Sequence, residues 1–132
     1  MNDKPESLKK VNIILNNKLK MLGGLLSDKK ARDILLFNVS NYSSVFEGII
    51  VATAHGNRHC RALADHLLDE IKKQNLEYLG MEGYQEGEWI LLDLNEIIIH
   101  LFTEETRLFY NLEGFWTKGS KIELTETPGT NS

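Results

Sequence analysis

Several things this chain lacks narrow what it can be. It has a single cysteine, Cys60, which excludes an intramolecular disulfide and gives no sign of an oxidising compartment. No apolar run approaches the ~20 residues a bilayer-spanning helix needs. Basic residues are in deficit, 15 Lys and Arg against 19 Asp and Glu for a formal net charge of −4, so attraction to bare nucleic acid is not expected, because phosphate neutralisation needs a basic patch. Prolines number two and no repeat is visible. No G-x-G-x-x-G or Walker-type phosphate loop is present. Residues 1–6 have neither the apolar core of a signal peptide nor the arginine-rich character of a transit peptide; the expected location is the cytoplasm of a bacterium. The length of 132 residues leaves room for one domain and one core.

What is present is a pattern of helices and strands. Leu8, Val11, Leu15, Leu19 and Leu22 recur at steps of three and four and predict an amphipathic helix with Ile14 beside its stripe. Ser7 is its candidate N-cap, and Gly23 with Gly24 its stop. Apolar runs over 33–39 and 45–54 predict two strands separated by a polar turn. A second helix follows, with Asn57 as candidate cap and Cys60, Leu63, Ala64, Leu67, Leu68 and Ile71 as its apolar face, fading over 73–75. On its wet side Arg61 with Asp65 and Asp69 with Lys73 are spaced as i,i+4 pairs. A short strand is expected over 77–81. Two apolar runs beginning at Trp89 and ending at Phe102 flank a polar break centred on Asn95, which tolerates positive φ and predicts a tight strand–turn–strand unit. A short polar helix and an aromatic cluster come next. The composition turns to Thr, Gly, Ser and Pro after Trp116, so the expected division is a domain over 1–116 and a mobile tail over 117–132. One sheet with helices packed against it, an α/β (α+β mixed) domain, is the fold class this order indicates.

Few residues invite a catalytic reading. His55, His59, Cys60 and His66 are ligand types, yet His59 and Cys60 are adjacent and diverge by about 100° on a helix, whereas zinc needs ligands converging on one point. No metal and no cofactor is expected. Cys60 falls on the apolar helix face and reads as a structural thiol, and His100, ending an apolar run, as a satisfied structural histidine. Magnesium-dependent nucleotide chemistry needs closely placed carboxylates, and no D-x-D falls on a predicted strand. Asp93 and Glu96 flank a turn and fit turn chemistry. The expectation is therefore a non-enzyme. The C-terminal third instead collects Trp89, Tyr110, Phe115 and Trp116 among Asp93, Arg107 and Glu113. Such a mixture suits an interface, while for Trp89 or Trp116 singly, core packing fits as well.

Three blocks in collinear order carry a resemblance. The segment 88–116 combines Trp89 and Asp93, a hydrophobic run closing on His100, then Arg107, Tyr110, Leu112, Glu113 and Trp116. Upstream stand Thr53, Gly56, Arg58 and His59, followed by Ala64, Asp65 and His66, and before them the run 30–39. Together they resemble the ribosomal silencing factor, or Iojap-like, family. That resemblance implies a mixed sheet of about five strands with nucleotidyltransferase-like topology, and a homodimer in many members. It also implies a regulator that binds the large ribosomal subunit through its universal protein fourteen, blocks subunit joining and lowers translation when nutrients are scarce. The partner-binding residues it implies are Trp89, Asp93, Tyr110, Leu112 and Glu113, with Arg58 and His59 matching the family's R-H pair. Asn38, Glu47 with Gly48, Ala54 and Asn95 depart from the family pattern. Two other readings are an assembly factor for the large subunit and a residual magnesium-dependent nucleotidyltransferase-like enzyme.

Overall fold

The structure, a computed structural model, describes residues 6–41, 43, 45–110 and 120–123, with the side chains at 6–11, 109, 110 and 120 outside that description. Its elements run α1 (Glu6–Asp28), β1 (Arg32–Asn38), β2 (Gly48–Ala54), α2 (Asn57–Lys73), β3 (Gly80–Glu82), β4 (Trp89–Asp93), β5 (Ile97–Thr103), α3 (Glu104–Tyr110) and β6 (Ser120–Ile122). One mixed sheet of six strands has the order β3-β4-β5-β2-β1-β6. Among the described residues β2 and β5 form the one parallel pair, from Gly48 opposite Ile97 to Ala54 opposite Thr103. The intervening α2 supplies the crossover such a pair needs.

Both strands at the centre are buried along their whole length, as expected where both faces of a sheet are covered. Alternate residues serve two cores. Leu36, Ile50, Ala52, Ile90, Leu92, Ile99 and Leu101 pack with Leu15, Leu19, Leu22 and Leu26 of α1 and Cys60, Leu63, Leu67 and Ile71 of α2. The other face carries a smaller cluster of Phe37, Val39, Ile49, Val51 and Phe102, with Leu35, Phe46 and Trp89 packed against it.

The first helix departs from expectation at both ends. It begins at Glu6, so Ser7 lies inside it, and it passes through Gly23 and Gly24 to Asp28. Each internal glycine costs roughly 1 kcal/mol of helix propensity, but Leu22 and Leu26 on either side are fully buried against the sheet, and a buried leucine is worth about 2 kcal/mol. Tertiary burial outweighs local propensity. The actual stop is Lys30, at φ 67. The Ala31 amide donates to Leu26 O and the Lys30 amide to Ser27 O, the paired 6→1 and 5→2 bonds of a Schellman termination. Asn75, at φ 56, ends α2 the same way, with bonds from Leu76 to Ile71 and from Asn75 to Lys72.

Three other expectations change. The second strand starts at Gly48 rather than at Val45, which is 77% exposed, because the parallel pairing begins where the Glu47 and Gly48 amides both donate to Glu96 O. The short strand before the turn unit begins at Gly80, not at Glu77. A sixth strand forms at Ser120–Ile122, antiparallel to β1 with Leu36 opposite Ile122, inside the stretch expected to be a mobile tail. A three-residue strand on an edge leaves too little periodicity to show in composition. Of the rest of that tail, residues 117–119 and 124–132 lie outside the described residues.

Candidate functional site

The turn unit folds as its residues predict. Asn95 sits at φ 75, the Leu94 amide donates to Ile97 O, and Asp93 Oδ1 accepts from the Asn95 amide at 2.8 Å, an Asx arrangement that steadies the turn. The β4–β5 register sets Trp89 opposite Phe102, Leu91 opposite His100 and Asp93 opposite Ile98. Because side chains alternate along a strand, all six lie on the face away from α1 and α2.

Trp89 is half-buried and closely held there. Its ring lies 5.0 Å from that of Phe102, tilted by 35°, and its indole N–H donates to His100 Nδ1 at 3.0 Å. His100 stacks on Phe102 with an 8° interplanar angle. Burial pushes the His100 imidazole down to about 4, so it is neutral at pH 7 and keeps the Nδ1 lone pair that the indole uses. The structural reading of His100 therefore holds, with its Nδ1 taken by Trp89. Beside them a cavity of about 340 Å³ is lined by Glu82, Gly83, Trp89 and Leu91. Gly83 has φ +82, and a Cβ there would stand 2.1 Å from the Trp89 carbonyl oxygen. The loop before β4 thus requires glycine at this point to pass so close to the strand.

The expected binding residues do not all meet on this face. Trp89 and Asp93 share it. Tyr110 ends α3 with its side chain outside the described residues, and Leu112 and Glu113 lie outside them altogether, as do Phe115 and Trp116. Arg58 and His59 open α2, which packs on the opposite face of the sheet. Arg58 is exposed. His59 uses both ring nitrogens within the chain: Nδ1 accepts from the His55 amide at 2.9 Å, and Nε2 meets Lys29 O at 2.8 Å. His55 reaches Lys30 O in the same manner at 3.2 Å. The two histidines thereby brace the end of α1 against the start of α2.

Asn57 does not cap α2. Gly56 is the cap residue and makes no side-chain bond, while the Asn57 side-chain Nδ2 donates to Glu86 O at 2.8 Å. Arg61 likewise donates to Gln85 O and Asp65 accepts from Tyr84 Oη, so the Arg61–Asp65 pair gives way to anchoring of the 83–88 loop. Asp69 and Lys73 do pair, at 3.3 Å. Cys60 is fully buried against Leu101 O, and burial pushes its thiol up to about 11, which leaves it inert at neutral pH.

Two features escaped sequence reasoning. Arg107 is 92% removed from solvent, being 8% exposed, and donates to Asp33 O at 2.7 Å and to Thr53 Oγ1. It ties α3 to the bulge in β1, where Asp33 stands at φ 48; an arginine in a polar helix carries no sign of burial. A cavity of about 640 Å³ also opens at the ends of the two parallel strands, lined by His55, Asn57, Glu88, Glu104 and Glu105 among others. Among the described residues no group of three or more His, Cys, Asp or Glu is arranged to hold a metal ion, and no helix is long and apolar enough to cross a membrane.

Comparison with known proteins gives this geometry its context. Residues 14–132 match the family described as "Ribosomal silencing factor during starvation". The chain belongs to the ribosomal silencing factor family. The ribosomal silencing factor RsfS of Chromobacterium violaceum is 34% identical over 91 residues, 69% of this chain and 75% of that protein. The mouse "Mitochondrial assembly of ribosomal large subunit protein 1" is 30% identical over 100 residues, 74% of this chain but 44% of its own length. An X-ray structure of a Chromobacterium violaceum protein superposes with a TM-score of 0.72 at 30% identity, covering 89% of this chain and 96% of that one. Ribosome silencing, with its bearing on translation, is thus the theme of this chain's family.

Proposed function

We propose that this chain binds the free large ribosomal subunit in the cytoplasm, docks on its universal protein fourteen, and excludes the small subunit by occupying the joining face. It thereby represses translation when nutrients are limiting. The observation that carries the reading is the β4–β5 face: a half-exposed tryptophan held rigidly beside Leu91, with Asp93 and Glu82 at its border. A rigid aromatic anchor with a charged rim is the anatomy of a protein-binding hot spot. The net charge of −4 favours a basic protein over RNA as the direct partner and speeds the encounter. Trp89 and Asp93 are the contacts assigned here, joined by Tyr110, Leu112 and Glu113 of the same family block. Arg58 stands at the far side of the sheet and His59 serves bracing. Silencing then follows mass action, since subunit joining falls in proportion to occupancy. A homodimer built on the same face would compete with the ribosome.

Sedimentation through a sucrose gradient tests this. The chain should travel with free large subunits and not with small subunits or joined ribosomes, and rising salt should weaken the association moderately. Recovery only at the top of the gradient at low salt would refute the assignment. A second reading, large-subunit assembly, is favoured by the name of the mouse relative. Depletion separates the two: precursor large subunits accumulate if the role is assembly, and translation persists through starvation if it is silencing. The enzyme alternative predicts saturable, magnesium-dependent binding of a nucleoside triphosphate, which titration should not detect.

A further inference from the structure

We infer that His100 is the positioning residue for partner docking: through its Nδ1 it selects the one orientation of the Trp89 indole that the partner meets. The inference rests on the docking role proposed for Trp89 and goes beyond it.

Trp89 is the first residue of β4, paired with Phe102 of β5 and beyond the β3 pairing, which begins at Leu91, with solvent on part of its surface. Packing on Phe102 at 5.0 Å holds the plane of the ring. An apolar stack, however, discriminates weakly between the two flips of an indole about its Cβ–Cγ bond, because both bury similar area. The hydrogen bond does discriminate, since only one flip points Nε1 at His100 Nδ1, 3.0 Å away. The His100 ring is itself fixed by its 8° stacking on Phe102 and by its place on a strand whose seven residues are all buried.

The choice of residue at 100 supports the same conclusion. Its neighbours on that face of the strand are Ile98 and Phe102, and an aliphatic side chain would suit the packing at no desolvation cost. A buried polar ring is unfavourable unless its polar atoms are used. Accepting from the indole requires the tautomer with its proton on Nε2, and a neutral ring. Burial enforces the neutral state at physiological pH. A docking aromatic preset in its bound orientation binds more tightly because less side-chain freedom is lost on association.

The test is a double-mutant cycle read by affinity for purified free large subunits, with indole ¹H–¹⁵N spectra of the whole chain alongside. Trp89→Ala identifies the Trp89 signal by its disappearance and should weaken binding about 30-fold or more. His100→Leu removes the acceptor while keeping the volume. It should weaken binding roughly three- to ten-fold, the worth of one neutral hydrogen bond, and shift the Trp89 indole signal to that of an unbonded, solvent-exchanging N–H. His100→Asn places an amide oxygen where Nδ1 stands and should restore both readouts. In the Trp89→Ala background, His100→Leu should add no further loss. If His100→Leu binds like wild type while Trp89→Ala is weak, the positioning role is overturned and the docking site stands. If Trp89→Ala binds like wild type, the docking site falls and takes this inference with it. Should the leucine variant fail to fold, His100→Asn and His100→Gln replace it, because the longer amide misplaces the acceptor; equal affinity and equal indole signals for those two would overturn the proposal.

Discussion

Acid should destabilise this protein through one histidine, and the size of the effect follows from its environment. His100 is 7% exposed and burial lowers its pKa from 6.5 to about 4. Above pH 6.5 the ring is neutral whether the chain is folded or not, and it contributes no pH dependence. As pH falls below 6.5 the unfolded chain takes up a proton that the folded chain refuses, so stability is lost. The loss continues until about pH 4, where the folded ring titrates too. Each pH unit in this window costs about 1.4 kcal/mol, for a total on the order of 3 kcal/mol. That is a large share of the roughly 5–15 kcal/mol expected of a small domain. Carboxylates also titrate near the lower end, so the quantity to measure is a difference. Urea unfolding of the wild type and of His100→Asn from pH 8 to pH 4 isolates the histidine. The gap between the two stabilities should stay constant above pH 7 and then shift in favour of the variant by about 3 kcal/mol on the way to pH 4. A gap that stays constant across the whole range would refute the account, showing that His100 is free to protonate within the fold.

Three further outcomes are expected. Gly83→Ala should cost roughly 3 kcal/mol or more, because it combines a left-handed backbone with a Cβ placed 2.1 Å from the Trp89 carbonyl oxygen; thermal unfolding reads it, and an unchanged melting temperature would show that the loop is free to shift. Lys30→Gly should stabilise by about 1 kcal/mol, since glycine relieves the positive φ of the residue that ends α1, which chemical denaturation detects. The Cys60 thiol, raised to about 11 by burial, should resist a thiol reagent at pH 8 in the folded protein and react promptly once urea unfolds it. Stability should also decline as pH climbs past 9, where the thiol ionises only in the unfolded chain.

Much of this fold was open to sequence reasoning where a periodic signal was long. The α1 stripe at Leu15, Leu19 and Leu22, the α2 face apart from the half-buried Leu68, and the turn at Asn95 all depend on spacings of a few residues and appear in the structure. The side chains of Leu8 and Val11 lie outside the described residues. Reasoning failed where a local signal competed with a distant contact. Gly23 and Gly24 look like a helix end, but Leu22 and Leu26 are buried against strands that follow later in the chain. Asn57 looks like a cap, but its side chain is taken by Glu86 O, twenty-nine residues away. The strand at Ser120–Ile122 exists because the edge of β1 is there to receive it.

Length, charge balance, the lone cysteine and the ordered blocks of residues by themselves determined the class of domain, the family resemblance and the expectation of a ribosomal partner, because these are properties of composition and short-range pattern. The tertiary structure decided where the described candidate residues stand. It set Trp89 and Asp93 on one face and Arg58 and His59 on the layer behind it, since the β4–β5 register and the crossover through α2 are long-range facts. It also joined Trp89 to His100. Those residues stand eleven apart in sequence, and only the turn at Asn95 and the alternation of side chains bring an indole N–H to an imidazole nitrogen.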